Sequence, residues 1–199
     1  MNLSAKAAVA IVALTGVLSG QSQSADALVS SLKKGGYVIV MRHASSPREA
    51  PDAKTANKDN TKLERQLDET GRSTAAAMGK AIRDLNIPIG EVLTSPTYRA
   101  LETIRLAQLP SLKPQEELGD GGQSMQAVAE SQATWLRQRI TQLPKGTNTL
   151  LVTHMPNITR AFPDWGEVAD GEAVVIGPDG KGGVGPIGRI KIEEWPRLR

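Results

Sequence analysis

Apolar residues along this chain recur in two rhythms, and the rhythms alternate. Leu28 and Leu32 stand one helical turn apart and predict a short helix over 25–34, broken by Gly35-Gly36. The uninterrupted run Tyr37-Val38-Ile39-Val40-Met41 follows; it is short and β-branched, which suits a strand buried on both faces of a parallel sheet. A second helix is predicted over 70–85, with Ala75, Met78, Ile82 and Leu85 on one stripe. A strand over 91–94 leads to Pro96, which opens a helix running to about 108. The stretch 123–143 reads as a long amphipathic helix carrying Met125, Val128, Leu136, Ile140 and Leu143, and 149–153 as another buried strand. Two more strands, 172–176 and 187–192, flank a glycine-rich turn. Helices alternating with apolar strands predict an α/β fold, a mostly parallel sheet layered between helices. No internal repeat and no interdomain linker interrupts it.

Two stretches break the rhythm. Residues 45–69 are polar, of mixed charge and long for a connector, the kind of loop that usually carries function. At the N-terminus, Lys6 precedes an apolar stretch over 7–20, followed by Ser22-Gln23-Ser24. A basic start, an apolar core and small residues in alternation have the order of an export signal. The core is short of the roughly 20 residues a membrane-spanning helix needs. Gln21 stands where a lipoprotein signal needs cysteine. The expectation is a signal peptide over 1–24, a domain over 25–199, and a periplasmic or secreted protein with no stable membrane insertion after cleavage; a segment that stays uncleaved as an anchor is the alternative.

Composition narrows the chemistry. Of 199 residues 39% are hydrophobic and 23% charged, as in a globular protein of one domain. There is no cysteine, which excludes disulfides, thiolate metal sites and cysteine nucleophiles. The only histidines are His43 and His154, so a three-histidine zinc site is excluded as well. The net charge of +3 suits an anionic small molecule, and aromatics at 3% leave few platforms for stacking nucleic-acid bases.

Both histidines close an apolar strand. His43 lies in Met41-Arg42-His43-Ala44 and His154 in Val152-Thr153-His154; a third segment, Thr94-Ser95-Pro96-Thr97-Tyr98-Arg99-Ala100, follows another strand. An α/β sheet places its ligands past the carboxyl ends of such strands. Arginine forks and a helix N-terminus near Pro96 are groups that hold phosphoryl oxygens, and a neutral imidazole can attack phosphorus without a metal. Guanidinium groups beside His43 should lower its pKa and keep that lone pair free.

On these residues the chain resembles the histidine phosphatase superfamily. Arg42-His43-Ala44 is similar to the family's Arg-His-Gly, and Leu67-Asp68-Glu69-Thr70-Gly71 to its Leu-Thr-x-x-Gly. Ser95-Pro96-Thr97-Tyr98-Arg99-Ala100-Leu101-Glu102-Thr103 is similar to Ser-Pro-x-x-Arg-Ala-x-x-Thr, and His154 to the second family histidine. The resemblance runs in order from about 37 to 192. It implies a three-layer α/β/α sandwich of phosphoglycerate mutase-like form, with no cofactor and no metal. It assigns His43 as the nucleophile that becomes phosphohistidine, Arg42 and Arg99 as the grip on the phosphoryl group, and His154 as a stabiliser of its charge. For the proton donor it suggests the segment after the Arg99 helix, with Glu117 first, then Glu116; Glu172 is a further choice.

Departures from the pattern sharpen the expectation. Met155 follows His154 where the acid phosphatase branch has Asp, and Ser45-Ser46-Pro47 lacks the Asn of the mutases. Ser46 and Arg65 are potential substrate contacts from the long loop. Gly180-Lys181-Gly182-Gly183-Val184-Gly185 has dinucleotide-motif spacing, but no helix is expected after it, so a hairpin turn is predicted. Asn157-Ile158-Thr159 fits a glycosylation acceptor but adjoins the presumed site. The expected function is a phosphatase acting on a small phosphomonoester or phosphoramidate, with no nucleic-acid partner. A phosphoglycerate mutase-type phosphotransferase and a weakly catalytic phosphate-binding protein are the alternatives.

Overall fold

The computed structural model describes residues 24–121 and 127–199. Residues 1–23 of the expected signal segment and the expected helical start at 123–126, Met125 included, lie outside them. Five helices and six strands occur among the described residues, in the order α1 (Ala25–Leu32), β1 (Val38–Arg42), α2 (Glu69–Asp84), β2 (Ile89–Thr94), α3 (Tyr98–Ala107), β3 (Leu112–Pro114), α4 (Glu130–Ile140), β4 (Asn148–Thr153), α5 (Met155–Ala161), β5 (Ala173–Pro178) and β6 (Val184–Ile190). The strands form one sheet in the order β3-β2-β4-β1-β5-β6. β1 to β4 run parallel, while β5 is antiparallel to both its neighbours, β1 and β6. The architecture is the expected three-layer α/β/α form with a mostly parallel sheet.

Both faces of the sheet are covered, which explains the unbroken apolar runs. In β1, Ile39 and Met41 join a cluster with Leu28, Leu32, Met78, Ile82 and Ile104 of α1, α2 and α3. Val38 and Val40 face the other way, toward Leu136 and Ile140 of α4 and Ile158 of α5. The expected hairpin is present: β5 and β6 pair antiparallel around 179–183, where Asp179 Oδ1 accepts from the amides of Lys181 and Gly183 at 2.8 Å each. Three expectations needed correction. α4 begins only at Glu130 and ends at Ile140; the short elements β3 and α5 were not expected. No helix among the described residues is long and apolar enough to cross a membrane.

The fold fixes the loop that follows His43. Asp68 caps α2 by accepting from Gly71 N at 2.7 Å, and its other oxygen accepts from Ser45 Oγ at 2.7 Å. Gly71 touches the Ser45 backbone so closely that a Cβ there would lie 2.1 Å from the Ser45 carbonyl oxygen. That contact gives the glycine of Leu-Asp-Glu-Thr-Gly its physical reason: it brings the helix start against the chain two residues beyond the histidine.

Candidate functional site

The order β2-β4-β1 brings the three motif segments to one sheet edge, because these neighbours are parallel and end together. Arg42 pairs with Thr153 and Thr94 with Val152. One step on, His43 N donates to Thr153 O at 3.0 Å and Ser95 N to Val152 O at 2.9 Å. Helix α3 locks in the rest. Thr103 Oγ1 accepts from Ala44 N at 3.1 Å and donates to Arg99 O at 2.8 Å, tying the turn after His43 to the helix that carries Arg99.

His43 and His154 face each other with ring centroids 5.1 Å apart, and Arg99 lies between them. The Ala44 carbonyl can only accept, so its 2.8 Å contact with His43 Nδ1 places the proton there. The lone pair is then on Nε2, which accepts from Arg99 Nε at 3.2 Å. His154 Nδ1 lies 3.0 Å from Arg99 Nη2, a group that only donates, so the His154 proton is on Nε2 and goes to Ser95 Oγ at 2.8 Å. Arg99 Nη2 also pairs with the carboxylate of Asp120. His43, His154, Arg99 and Asp120 are all at most 4% exposed.

Both imidazoles are held neutral. Burial lowers the His43 pKa to about 3, with the charges of Arg99, Arg42 and Arg65 adding to the effect and the Ala44 hydrogen bond opposing it. His154 is lowered well below its usual value, again chiefly by burial and then by Arg99. The direction is the expected one, but desolvation leads and the guanidinium groups follow.

Around this centre lies a cleft of about 630 Å³, a volume suited to a small molecule. Four arginines line it, Arg42, Arg48, Arg65 and Arg99, against two carboxylates, Asp120 and Asp170. Arg42 donates to Val168 O at 3.0 Å and pairs with Asp170 at 2.7 Å. Its buried Nε has no acceptor among the described residues, a donor that an anion's oxygen would satisfy. Arg65 is anchored to the long loop through Pro47 O at 2.5 Å and Ser46 O at 3.0 Å. The α3 N-terminus is occupied from the protein itself, since Tyr98 N donates to Glu64 at 2.9 Å. Among the described residues, no group of three or more histidine, aspartate or glutamate side chains is placed to hold a metal ion.

His43, Arg42, Arg99, His154, Ser46 and Arg65 therefore meet in one cleft. Ser46 spends its hydroxyl proton on Gln66 O at 2.9 Å. The three glutamates do not reach the cleft. Glu117 sits on a 3-10 turn over Glu116–Leu118, where Gln115 donates to it, and Glu116 is exposed on the same turn. Glu172 accepts from Ala169 N at 2.8 Å and lies 3.5 Å from Arg189. The cleft's carboxylates are instead Asp120 and Asp170, which the sequence reading passed over because each adjoins glycine and reads as a turn; Arg48 was missed as one exposed residue of a polar loop. Asn157 is 2% exposed and donates to Gly119 O at 2.7 Å, so it is a structural side chain and no glycan acceptor.

Residues 38–119 match the sequence model of the histidine phosphatase superfamily, branch 1. This segment holds His43, Arg42 and Arg99. No curated protein sequence matches the chain. Among solved structures, the protein histidine phosphatase SixA complexed with tungstate is similar at 17% identity and a TM-score of 0.52, over 79% of this chain and 98% of that one. YhfR of Bacillus stearothermophilus is similar at 20% identity and a TM-score of 0.52, over 75% and 94%. A phosphoserine phosphatase from Entamoeba histolytica, in complex with 3-phosphoglyceric acid, is similar at 13% identity and 0.52, over 77% and 95%. At these identities the likeness concerns the fold. Motif-bearing sequence and overall fold agree, and the family this chain resembles is the histidine phosphatase superfamily, branch 1.

Proposed function

We propose that the protein is a phosphatase that hydrolyses a small phosphomonoester or phosphoramidate through a phosphohistidine on Nε2 of His43. The observation that carries this reading is the neutral imidazole of His43, its proton committed to Ala44 and its Nε2 turned to Arg99 in an arginine-lined cleft. An incoming phosphoryl group would take the Arg99 guanidinium for its oxygens and leave Nε2 to attack phosphorus. Arg42 and Arg99 supply the fixed charge that a metal supplies elsewhere, stabilising the equatorial oxygens as the group transfers. His154 holds Arg99 in place from the opposite side. A fold shared with a protein histidine phosphatase that binds tungstate supports the same reading.

The test is turnover of p-nitrophenyl phosphate in the presence of EDTA. The wild type is expected to turn over, and His43→Ala to fall by on the order of 10³-fold or more. Turnover that survives the substitution, or that EDTA abolishes, contradicts the proposal. The order of charges and apolar residues over 1–24 supports export, with the phosphatase working outside the cytoplasm. N-terminal sequencing of the exported form should begin near residue 25; a retained Met1 contradicts cleavage.

A further inference from the structure

We propose that Asp170 selects the leaving group, admitting phosphates of uncharged or cationic groups and rejecting a leaving group that carries a second anion. The inference rests on the phosphohistidine reading above and narrows its substrate class. It starts from a balance of charge. Four arginines stand against two carboxylates in the cleft lining, a surplus of two positive charges. One phosphoryl dianion matches that surplus, so a second anion would enter a cleft already neutralised.

The two carboxylates are placed differently. Asp120 is 4% exposed and pairs with Arg99 beside the histidines. The Asp170 side chain is 36% exposed and meets Arg42 Nη2 at 2.7 Å, at the rim. With Nε2 of His43 attacking from within, the leaving group departs on the far side of phosphorus, outward and past the rim. Arg42 grips the phosphoryl oxygens in this reading, which leaves Asp170 one guanidinium away from them. Burial raises the Asp170 carboxyl above its ordinary range, and the charges of Arg42 and Arg65 hold it down. Its Oδ1 meets the Arg42 charge but accepts no aligned hydrogen bond among the described residues. A hydroxyl or ammonium group on the leaving group would find an acceptor here, and a carboxylate or second phosphate a like charge.

The segment that carries Asp170 is built into the site. Val168 O accepts from Arg42 Nη1 at 3.0 Å, Gly171 N donates to His43 O at 2.9 Å and Arg42 N to Glu172 O at 3.2 Å. From behind, Val168 N donates to Met155 Sδ at 3.5 Å and Arg189 Nη1 to Glu167 O at 2.8 Å. Backbone and side chains of the nucleophile's own strand thus fix where this carboxylate stands. The segment lies outside the residues that match the superfamily model, 38–119.

The experiment measures kcat/KM of wild type and Asp170→Asn on glycerol 3-phosphate and 3-phosphoglycerate, which differ in a terminal hydroxymethyl or carboxylate group, with p-nitrophenyl phosphate as reference. Wild type should favour glycerol 3-phosphate by on the order of 10–100-fold. Asp170→Asn keeps the shape without the charge and should bring that ratio to within about threefold of unity, chiefly by a gain on 3-phosphoglycerate relative to the reference. An unchanged ratio in the variant, with a common loss on every substrate, would make Asp170 a positioning residue for Arg42 and overturn the proposal. A wild type that takes 3-phosphoglycerate equally well overturns it too. Calorimetry of the same two phosphates binding to His43→Ala reads the preference without turnover; equal affinities, or no binding of either, contradict the proposal. Failure of the phosphohistidine reading looks different: p-nitrophenyl phosphate turnover that survives His43→Ala, whatever the ratio.

Discussion

His43 keeps its proton on Nδ1 and its lone pair on Nε2 because one neighbour can only accept and the other can only donate. Burial lowers its pKa from 6.5 to about 3, so the folded protein refuses a proton that the unfolded chain accepts. Between those two values unfolding takes up that proton, and stability therefore rises with pH through the window and is lost as pH falls toward 3. His43→Asn should flatten this dependence by about 1.4 kcal/mol per pH unit between about pH 4 and 6. Urea unfolding at several pH values measures it; parallel curves for variant and wild type would contradict a neutral buried imidazole. Arg99 is the other decisive residue, since it contacts His43, His154 and Asp120 together. Arg99→Lys keeps the charge but loses the fork, and should lower kcat/KM by on the order of 10²–10³-fold with the circular dichroism spectrum unchanged.

At the scale of elements, the site depends on contacts that place the turn after β1 against α2 and α3. Thr103→Val keeps the shape but leaves the buried Ala44 amide without its acceptor, a loss of about 1–3 kcal/mol. Gly71→Ala would drive a Cβ into the Ser45 carbonyl and should cost about 1–3 kcal/mol while displacing the loop that carries Ser46. Thermal unfolding and turnover together check both, and wild-type values in either variant would contradict this account of the turn. The same elements show what the sequence could reveal. β1 and β4 were legible because burial on both faces leaves them unbroken apolar runs. β3 has three residues and α5 seven with a proline in its first turn, too short for any periodicity to show. Val128 belongs to the core without being helical, so its apolar character misled the start expected for α4.

At the scale of the molecule, the parallel trio β2-β4-β1 turns three distant segments into one cluster, and both histidines of the chain end up within it. Residues carried by motifs, His43, Arg42, Arg99 and His154, were legible because strand ends and helix starts announce themselves in sequence. Asp120 and Asp170 were not, because a carboxylate delivered by a loop takes its position from tertiary hydrogen bonds such as those of Thr153 and Asn157. With no other imidazole in the chain, the covalent step has one possible histidine acceptor beside its buried partner His154. The most direct measurement is rapid quenching of the wild type with a phosphoester at alkaline pH, which preserves phosphohistidine, followed by peptide mass spectrometry. The account predicts one phosphoryl group on His43, absent from His43→Ala. Turnover with no phosphoryl group on His43, or with the group on His154 instead, would contradict it.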